Sequence, residues 1–365
     1  MKITIIMPSF DNGGVQSLMS IIVKGLIEKG NDITIITGNA NGDMQQSFNS
    51  AKIIDLKREE RGDYKLLFAQ KEINKITKDQ NPDVILAVPG YSTIAAIKAA
   101  NKNKLKVAIM VDNKLSLLKK GRIKHIISYN LYKHYYRKAD IIITAHKNAE
   151  NDIIKNYNIR KQKVKTIYYP LIDIKSISKI KAIKHKWNSD KYTLVFSAGR
   201  LCEEKDFPTL IKAFKTARAV NDKLRLIIAG DGEEREKLIS LIEKAGLQDT
   251  IELPGHVDNV IGYMKASDIF VLPSKKEAFG IVLIEALSCG IPVVSSDTES
   301  GAQKELLKNS EIGILFKPGD IKALSNILAD QNTYKNNVKR QIEKANEFDY
   351  EKSINEYNSV LRSIV

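Results

Sequence analysis

The sequence predicts an α/β chain of two Rossmann-like, doubly wound domains facing a central cleft, and three observations carry that prediction. Short Ile/Val-rich runs alternate with turns and longer amphipathic segments along the chain, the pattern of parallel strands joined by crossover helices. The 365 residues, 43% of them hydrophobic, exceed what one core usually organises and are ample for two. Near the middle, a Lys/Ile/Ser-rich stretch between Tyr168 and Lys191 lacks any clear period and reads as a connector.

In the first half, Ile3–Met7, Asp32–Thr37, Ala51–Leu56, Val84–Val88, Val107–Val111 and Ile141–Thr144 read as strands. In the second, Thr193–Ala198, Arg225–Ala229, Ile251–Leu253, Ile269–Leu272, Val293–Ser295 and Ile314–Phe316 do the same. Each set completes a nucleotide-binding-type sheet. The expected boundaries are a first domain at 1–170, a linker at 171–190 and a second domain at 191–347. Two such domains facing one another put the carboxyl ends of both sheets on a shared cleft, where ligands of open α/β sheets bind.

Two cysteines, Cys202 and Cys289, form neither a paired framework nor a metal-ligand cluster, and they indicate a reducing compartment. The chain enters a strand at once (Met1-Lys-Ile-Thr-Ile-Ile-Met-Pro8), without the layout of a signal peptide. No apolar run approaches the roughly 20 residues of a spanning helix. The expectation is a cytoplasmic protein, soluble or peripheral on a membrane.

The most specific stretch is Ser274-Lys-Lys-Glu277-Ala-Phe-Gly280-Ile-Val-Leu-Ile-Glu285-Ala-Leu-Ser-Cys-Gly290-Ile-Pro292. Asp268–Pro273 reads as a buried strand, Ser274–Gly280 as a loop and Ile281–Cys289 as a helix that Gly290-Ile-Pro292 ends. Glu285 is the only charge on that apolar helix, and such a carboxylate is costly unless a protein donor or a ligand hydroxyl reaches it. The plain alternative is a solvated Glu277 and a Glu285 at a helix edge, since two glutamates eight apart are common. The neighbours weigh against it: Pro273-Ser274, Phe279-Gly280 and Gly290-Ile-Pro292-Val-Val resemble the E-x7-E signature of the family 4 retaining glycosyltransferases, the glycosyl transferases group 1, which have the GT-B fold.

That resemblance implies a nucleotide-sugar donor site. Gly199-Arg200-Leu201-Cys-Glu-Glu-Lys205-Asp206 resembles the family's G-R-L-x-x-x-K-G segment, with Asp206 where the family has Gly. Arg200 offers a planar fork of donors and Lys205 a movable point charge, a combination suited to a diphosphate. Ile228-Ala-Gly230-Asp231-Gly232 resembles the strand end and glycine turn beside the nucleotide, although Gly-Asp-Gly is also a plain turn sequence. Leu253-Pro-Gly255-His256 looks like the segment whose backbone reads the base, which gives His256 a place in the donor site and no catalytic role. The helix after Phe279-Gly280 aims its amino terminus at the phosphates, Glu285 accepts from the ribose and Glu277 faces the sugar. The family implies retention of the anomeric configuration by front-face attack, with no metal and no cofactor beyond the donor. Uridine is the commonest base in such relatives, and the transferred group is a hexosyl or N-acetylhexosaminyl unit. In GT-B proteins a final helix crosses back to the first domain, and the segment 348–365 looks like that helix.

In the first domain Gly13-Gly14 joins strand one to a helix and permits close backbone approach to the donor phosphate or the attacking acceptor. The family often continues with G-G-x-E/Q-R; Gln16 fits and Ser17 replaces the arginine. Many relatives place a histidine near the donor sugar after the strand that ends at Val111, where this chain reads Asp112-Asn113-Lys114; either Asp112 or Asn113 takes over that polar contact, or the donor sugar is oriented differently.

Charge separates the halves. Residues 1–180 hold 31 Lys and Arg against 16 Asp and Glu, and residues 181–365 hold 27 against 27. The segment 98–138 alone carries 12 basic residues and one acid, Asp112, interleaved with aliphatics and with Tyr129, Tyr132, Tyr135 and Tyr136. That mixture suits an anionic bilayer surface, and the solvated face of a lysine-rich protein is the plain alternative. No nucleic-acid motif accompanies the charge. The expected protein is thus a glycosyltransferase on the inner membrane face with a lipid-linked or polyanionic glycan acceptor. A nucleotide-sugar epimerase of the same fold and a non-enzymatic polyanion-binding protein are the competing readings.

Overall fold

A strand of a parallel sheet is covered by helices on both faces, so it is written as an unbroken apolar run rather than an alternating one. Val84-Ile-Leu-Ala87 and Ile141-Ile-Ile-Thr144 are such runs, and every residue in them is buried. The structure, a computed structural model, describes residues 1–365 except 12, 59–62, 112–122, 170–171, 278–279 and 331–337. It divides into two units, Met1–Leu171 with Tyr350–Val365, and Ile172–Asp349.

The first unit runs β1 (Lys2–Ser9), α1 (Gly14–Glu28), β2 (Asp32–Asn39), β3 (Lys52–Asp55), α2 (Gln70–Gln80), β4 (Val84–Ala87), α3 (Tyr91–Asn103), β5 (Lys106–Val111), α4 (Ile123–Tyr136), β6 (Ile141–Thr144), α5 (Lys147–Tyr157) and β7 (Val164–Thr166). The second runs α6 (Ile174–Lys179), β8 (Thr193–Ala198), α7 (Phe207–Arg218), β9 (Leu224–Ala229), α8 (Arg235–Ala245), β10 (Ile251–Gly255), α9 (Val260–Lys265), β11 (Ile269–Leu272), α10 (Ile281–Cys289), β12 (Val293–Ser296), α11 (Ala302–Leu306), β13 (Ile314–Phe316), α12 (Ile321–Ala329) and α13 (Val338–Ala345). Helix α14 (Tyr350–Arg362) returns to the first unit.

The first sheet has the order β3-β2-β1-β4-β5-β6-β7 and the second β10-β9-β8-β11-β12-β13, all pairs parallel. Strand order reverses between β1 and β4 in one and between β8 and β11 in the other, so the loops after these four strands open the crevice at each carboxyl edge. In the first core the fully buried Ala95, Ala96, Ala99 and Ala100 let α3 lie close on β4 and β5. In the second, Phe207 and Phe214 of α7 fill the face covering Val195, Leu226 and Ile228.

One device recurs at the opposite edge. Asp83, Asp140 and Asp268 each stand at the entry of a strand and accept an N–H from the first or second residue of a neighbouring strand, from Lys2 at 2.7 Å, Val107 at 2.9 Å and Leu194 at 2.7 Å. The three Asp-[Val/Ile] signals thus pin β4 to β1, β6 to β5 and β11 to β8, satisfying amides that a sheet edge leaves open.

Two expectations need correction. The described residues contain thirteen strands against the twelve read from sequence; the added β7 is a three-residue edge strand whose Lys165 is exposed, so it carries no apolar run. The segment read as a linker at 171–190 belongs with the second unit from Ile172 onward. Its carbonyls at Ile177 and Ile180 accept from Lys265 Nζ at 2.7 and 2.8 Å, Ile183 N donates to Gly262 O at 3.0 Å, and Trp187 is buried. Main-chain bonds of this kind leave no periodic trace.

Helix α14 docks on α1: Tyr350 OH donates to Glu28 at 2.6 Å, Asn31 Nδ2 donates to Asn358 at 3.0 Å, and Tyr357 is fully buried. A Cβ on Gly25 of α1 would lie 2.5 Å from the buried Ile354 side chain. Gly25→Val is therefore expected to lower stability by about 1–3 kcal/mol through overpacking. Chemical denaturation checks it, and Ile354→Ala in the same chain should return part of the loss.

Candidate active site

The site is built where the second sheet reverses its order, from the β8–α7 and β11–α10 loops. The first loop lies on the Gly230-Asp231-Gly232 turn: Leu201 N donates to Asp231 O at 2.9 Å and Glu234 N to Leu201 O at 2.9 Å. Gly230 has φ +132, and a Cβ there would fall 1.9 Å from the Gly199 carbonyl oxygen. Only glycine fits that approach. Its glycine thus serves the seating of the arginine loop, a role the sequence did not reveal.

The two loops are stitched together. Lys275 N and Lys276 N both donate to Glu204 O, at 2.8 and 3.3 Å. Lys205 Nζ lies 2.5 Å from Glu277 Oε2, with both side chains mostly buried. Lys275 Nζ lies 3.3 Å from Asp206 Oδ1. The sequence assigned Lys205 and Glu277 to different parts of a ligand, and in this ligand-free chain they hold one another. Arg200 is 69% exposed, with Glu204 at 3.9 Å. A hydrogen bond with the Cys202 thiol is the largest of the influences that push the Arg200 pKa above its ordinary value, and the carboxylates of Glu233 and Glu204 add to it.

Gly280, at φ +87, is the left-handed residue that starts α10. Among the described residues no side chain caps this helix and no acid occupies its first turn, so its amino end keeps N–H donors that favour an anion. Glu285 follows, half-buried, while Leu283, Ile284, Ala286 and Leu287 around it are buried. Among the described residues no hydrogen bond or ion pair reaches its carboxylate. Burial lifts its pKa above the usual glutamate range. Burial also raises the Cys289 thiol, to about 11.

Behind Glu277 stands a layer the sequence reading missed. Thr298 Oγ1 is 2.6 Å from Gln303 Oε1 and 3.3 Å from Glu277 O, and Ser296 Oγ donates to Ser274 O at 2.6 Å. Ser296, Thr298 and Gln303 are all buried. The signal was present as a polar run, Ser295-Ser-Asp-Thr-Glu-Ser300, following directly on an apolar strand.

Other expected site residues are dispersed. Gly255 O accepts from Gly230 N at 2.7 Å, which ties the start of the β10–α9 loop to the glycine turn, while His256 beside it is 82% exposed with Asp258 at 3.7 Å. In the first unit, Gly13 is extended and a Cβ there would fall 2.6 Å from Oε1 of Gln16, the end of a flexible side chain that can move, while a Cβ on Gly14 would meet nothing within 4 Å, so neither glycine is demanded by backbone packing of its own unit. Phe10, just after β1, stacks on Phe48 at 4.5 Å. Asp112, Asn113 and Phe279 lie outside the described residues. Among the described residues no three His, Cys, Asp or Glu side chains converge as metal ligands, and no helix is long and apolar enough to cross a membrane.

The basic segment of the first unit differs from its sequence reading in one respect. Tyr129, Tyr132 and Tyr136 are buried in the core, and the large apolar side chains exposed among the described residues of α4 are Ile126 and Ile127. Lys98 and Lys138 lie over the Tyr135 ring at 5.5 and 5.3 Å.

Residues 179–348 match the family model described as glycosyl transferases group 1, and residues 12–171 match that of glycosyltransferase family 4. The N-acetylgalactosamine-N,N'-diacetylbacillosaminyl-diphospho-undecaprenol 4-alpha-N-acetylgalactosaminyltransferase of Campylobacter jejuni is 31% identical over 285 residues, 75% of this chain and 76% of its own length. An uncharacterised glycosyltransferase of Methanocaldococcus jannaschii is 28% identical over 344 residues, 83% of this chain and 84% of its own. Among solved structures, HepE of Anabaena in complex with UDP and glucose has a TM-score of 0.79 at 20% identity, covering 100% of both chains. The lipopolysaccharide outer core galactosyltransferase WaaB gives 0.78 at 19% identity, again over 100% of both.

Because the folded-state pKa of Glu285 is raised, its burial penalty is absent below the unfolded-state pKa and grows as pH rises through the folded one. Glu285→Gln is therefore expected to raise the melting temperature at pH 7, the gain fading as the pH falls toward the unfolded-state value of about 4.3 and absent below it. Melting curves across that range test it, and a gain that is the same at both ends contradicts the assignment.

Proposed function

We infer, from the premise that this chain belongs to the family 4 glycosyltransferases (glycosyl transferases group 1) and has their GT-B fold, that its second unit holds a UDP-sugar and its first unit takes a lipid-linked glycan acceptor. The observation that carries the donor assignment is Glu285: a half-buried carboxylate that no hydrogen bond or ion pair reaches among the described residues, on a helix whose amino end no described side chain caps. A ribose supplies the hydroxyl donors that such a carboxylate lacks, and a diphosphate supplies the anion for the helix end. HepE, which shares the fold, was crystallised with UDP and glucose, which supports uridine. The Campylobacter relative carries an undecaprenol-diphospho-linked acceptor in its name, which supports a lipid-borne glycan.

On this reading the acceptor hydroxyl attacks the anomeric carbon from the face that the diphosphate leaves. The bond to the phosphate oxygen breaks with its electron pair going to the phosphate, and the hydroxyl proton passes to that oxygen, so configuration is retained. Arg200, Lys205 and the α10 amino end neutralise the charge that grows on the leaving group; Glu277 faces the sugar. These groups supply the positive charge for departure, so the reaction is proposed to run without a metal. Arg200→Ala should lower kcat by about 10²–10³-fold. Glu285→Ala should raise the donor KM about ten- to a hundredfold, the worth of hydrogen bonds to a charged acceptor. A transfer assay with labelled UDP-sugars decides, and unchanged kinetics in both variants would refute the site.

The first unit is proposed to dock on the inner membrane face through Lys98, Lys138 and the exposed Ile126 and Ile127. Each basic residue near an anionic surface adds roughly 1 kcal/mol. In vesicle flotation the protein should rise with anionic vesicles and not with neutral ones, and Lys98→Glu with Lys138→Glu should cut recovery at least tenfold. Absence from both vesicle types removes the membrane assignment.

A further inference from the structure

We propose that Asp206 and Lys275 are positioning residues for the donor diphosphate, their ion pair holding the β8–α7 and β11–α10 loops in register when Lys205 leaves Glu277 for phosphate. The proposal rests on the reading of Lys205 as a diphosphate ligand. It starts from the departure noted in the sequence, an aspartate where the family has glycine.

The backbone explains the glycine: residue 206 sits at φ +51, ψ 41, the left-handed region that glycine enters without penalty. Aspartate enters it at a cost, and here its side chain is also buried, 3% exposed. A buried carboxylate persists only when paired, and Asp206 is paired twice. Thr209 Oγ1 donates to Oδ2 at 2.7 Å, and Lys275 Nζ lies 3.3 Å from Oδ1. Lys237, another cation within electrostatic range, is bound to Glu234. Lys275 is held at its backbone as well, through the bond to Glu204 O.

The two ion pairs run in opposite senses across the same gap. The β8–α7 loop gives a cation at Lys205 and an anion at Asp206; the β11–α10 loop gives an anion at Glu277 and a cation at Lys275. Only Lys205–Glu277 contains expected ligand groups. A diphosphate competes for Lys205, and once it wins, Glu277 loses its counter-charge and the loops lose one of their ties. Asp206–Lys275, made of groups outside the expected ligand set, keeps the remaining ion pair, beside the main-chain bonds from Lys275 N and Lys276 N to Glu204 O.

The test uses the full chain with UDP as the calorimetric probe and a UDP-sugar for kinetics. Asp206→Asn, which tolerates the left-handed backbone and keeps a partner for Thr209, and Lys275→Ala should each weaken UDP binding about 5- to 30-fold. The donor KM should rise with them while kcat stays within about twofold. The double variant should be no weaker than either single one, as coupled partners require, and Lys275→Arg should bind like the parent. Asp206→Gly, which relieves the backbone while removing the pair, should show the same KM rise with an unchanged or higher melting temperature. If the parent binds UDP and the single variants match it within twofold, or their losses add in the double variant, the clasp is refuted. Failure of the parent itself to bind UDP would refute the donor-site reading instead.

Discussion

Parallel pairing of every strand in both sheets is the constraint from which the rest follows. It sends each strand's carboxyl end, and the amino end of each following helix, to one edge of the sheet. The opposite edge is then free to be closed by structural devices, and the aspartates at 83, 140 and 268 close it. The chemistry-bearing side chains gather on the other edge, at the place where strand order reverses. Arg200 and Lys205 leave β8 on one side of that reversal, and Glu277 leaves β11 on the other. Glu285 rides on the next helix, one turn beyond the left-handed Gly280.

At that edge the protein must hold cations ready for an anion without leaving them to distort the loops. The Lys205–Glu277 pair answers this, with side chains 22% and 12% exposed. Desolvation cancels much of the attraction in so buried a pair, so its net contribution to stability is small although breaking it without replacement is costly. A ligand that replaces the carboxylate with phosphate oxygens meets that condition. Glu285 lies at the other extreme, a carboxylate carrying its desolvation cost without a partner among the described residues. One group is satisfied and exchangeable; the other is unsatisfied.

The fold was legible because buried parallel strands leave unbroken apolar runs, and twelve of them could be read directly. What escaped was short or held by main-chain bonds: β7 with its exposed Lys165, and the segment from Ile172 to Asp190 that wraps on α9. Within the site, single positions were legible through a resemblance, but their partnerships were not. Lys205 and Glu277 are 72 positions apart, and no local pattern announces that they touch. Gly230 shows the converse, since its turn was legible and the reason for its glycine lies in the carbonyl of Gly199, 31 positions earlier.

The first unit poses a different problem, because nothing in its core calls for an excess of 31 basic over 16 acidic residues in positions 1–180. Self-repulsion among so many like charges opposes compaction, so the fold bears a cost that some other role offsets. Burial of Tyr129, Tyr132 and Tyr136 withdraws most of the aromatic contribution to any outward face. What is left is charge, with two exposed isoleucines as the only large aliphatic side chains exposed among the described residues of α4. Attraction of that kind decays within about 10 Å at moderate salt and has little apolar anchoring behind it. On the proposed membrane reading the contact would therefore be reversible and sensitive to ionic strength, which suits a surface that must meet a succession of lipid-borne acceptors rather than hold one.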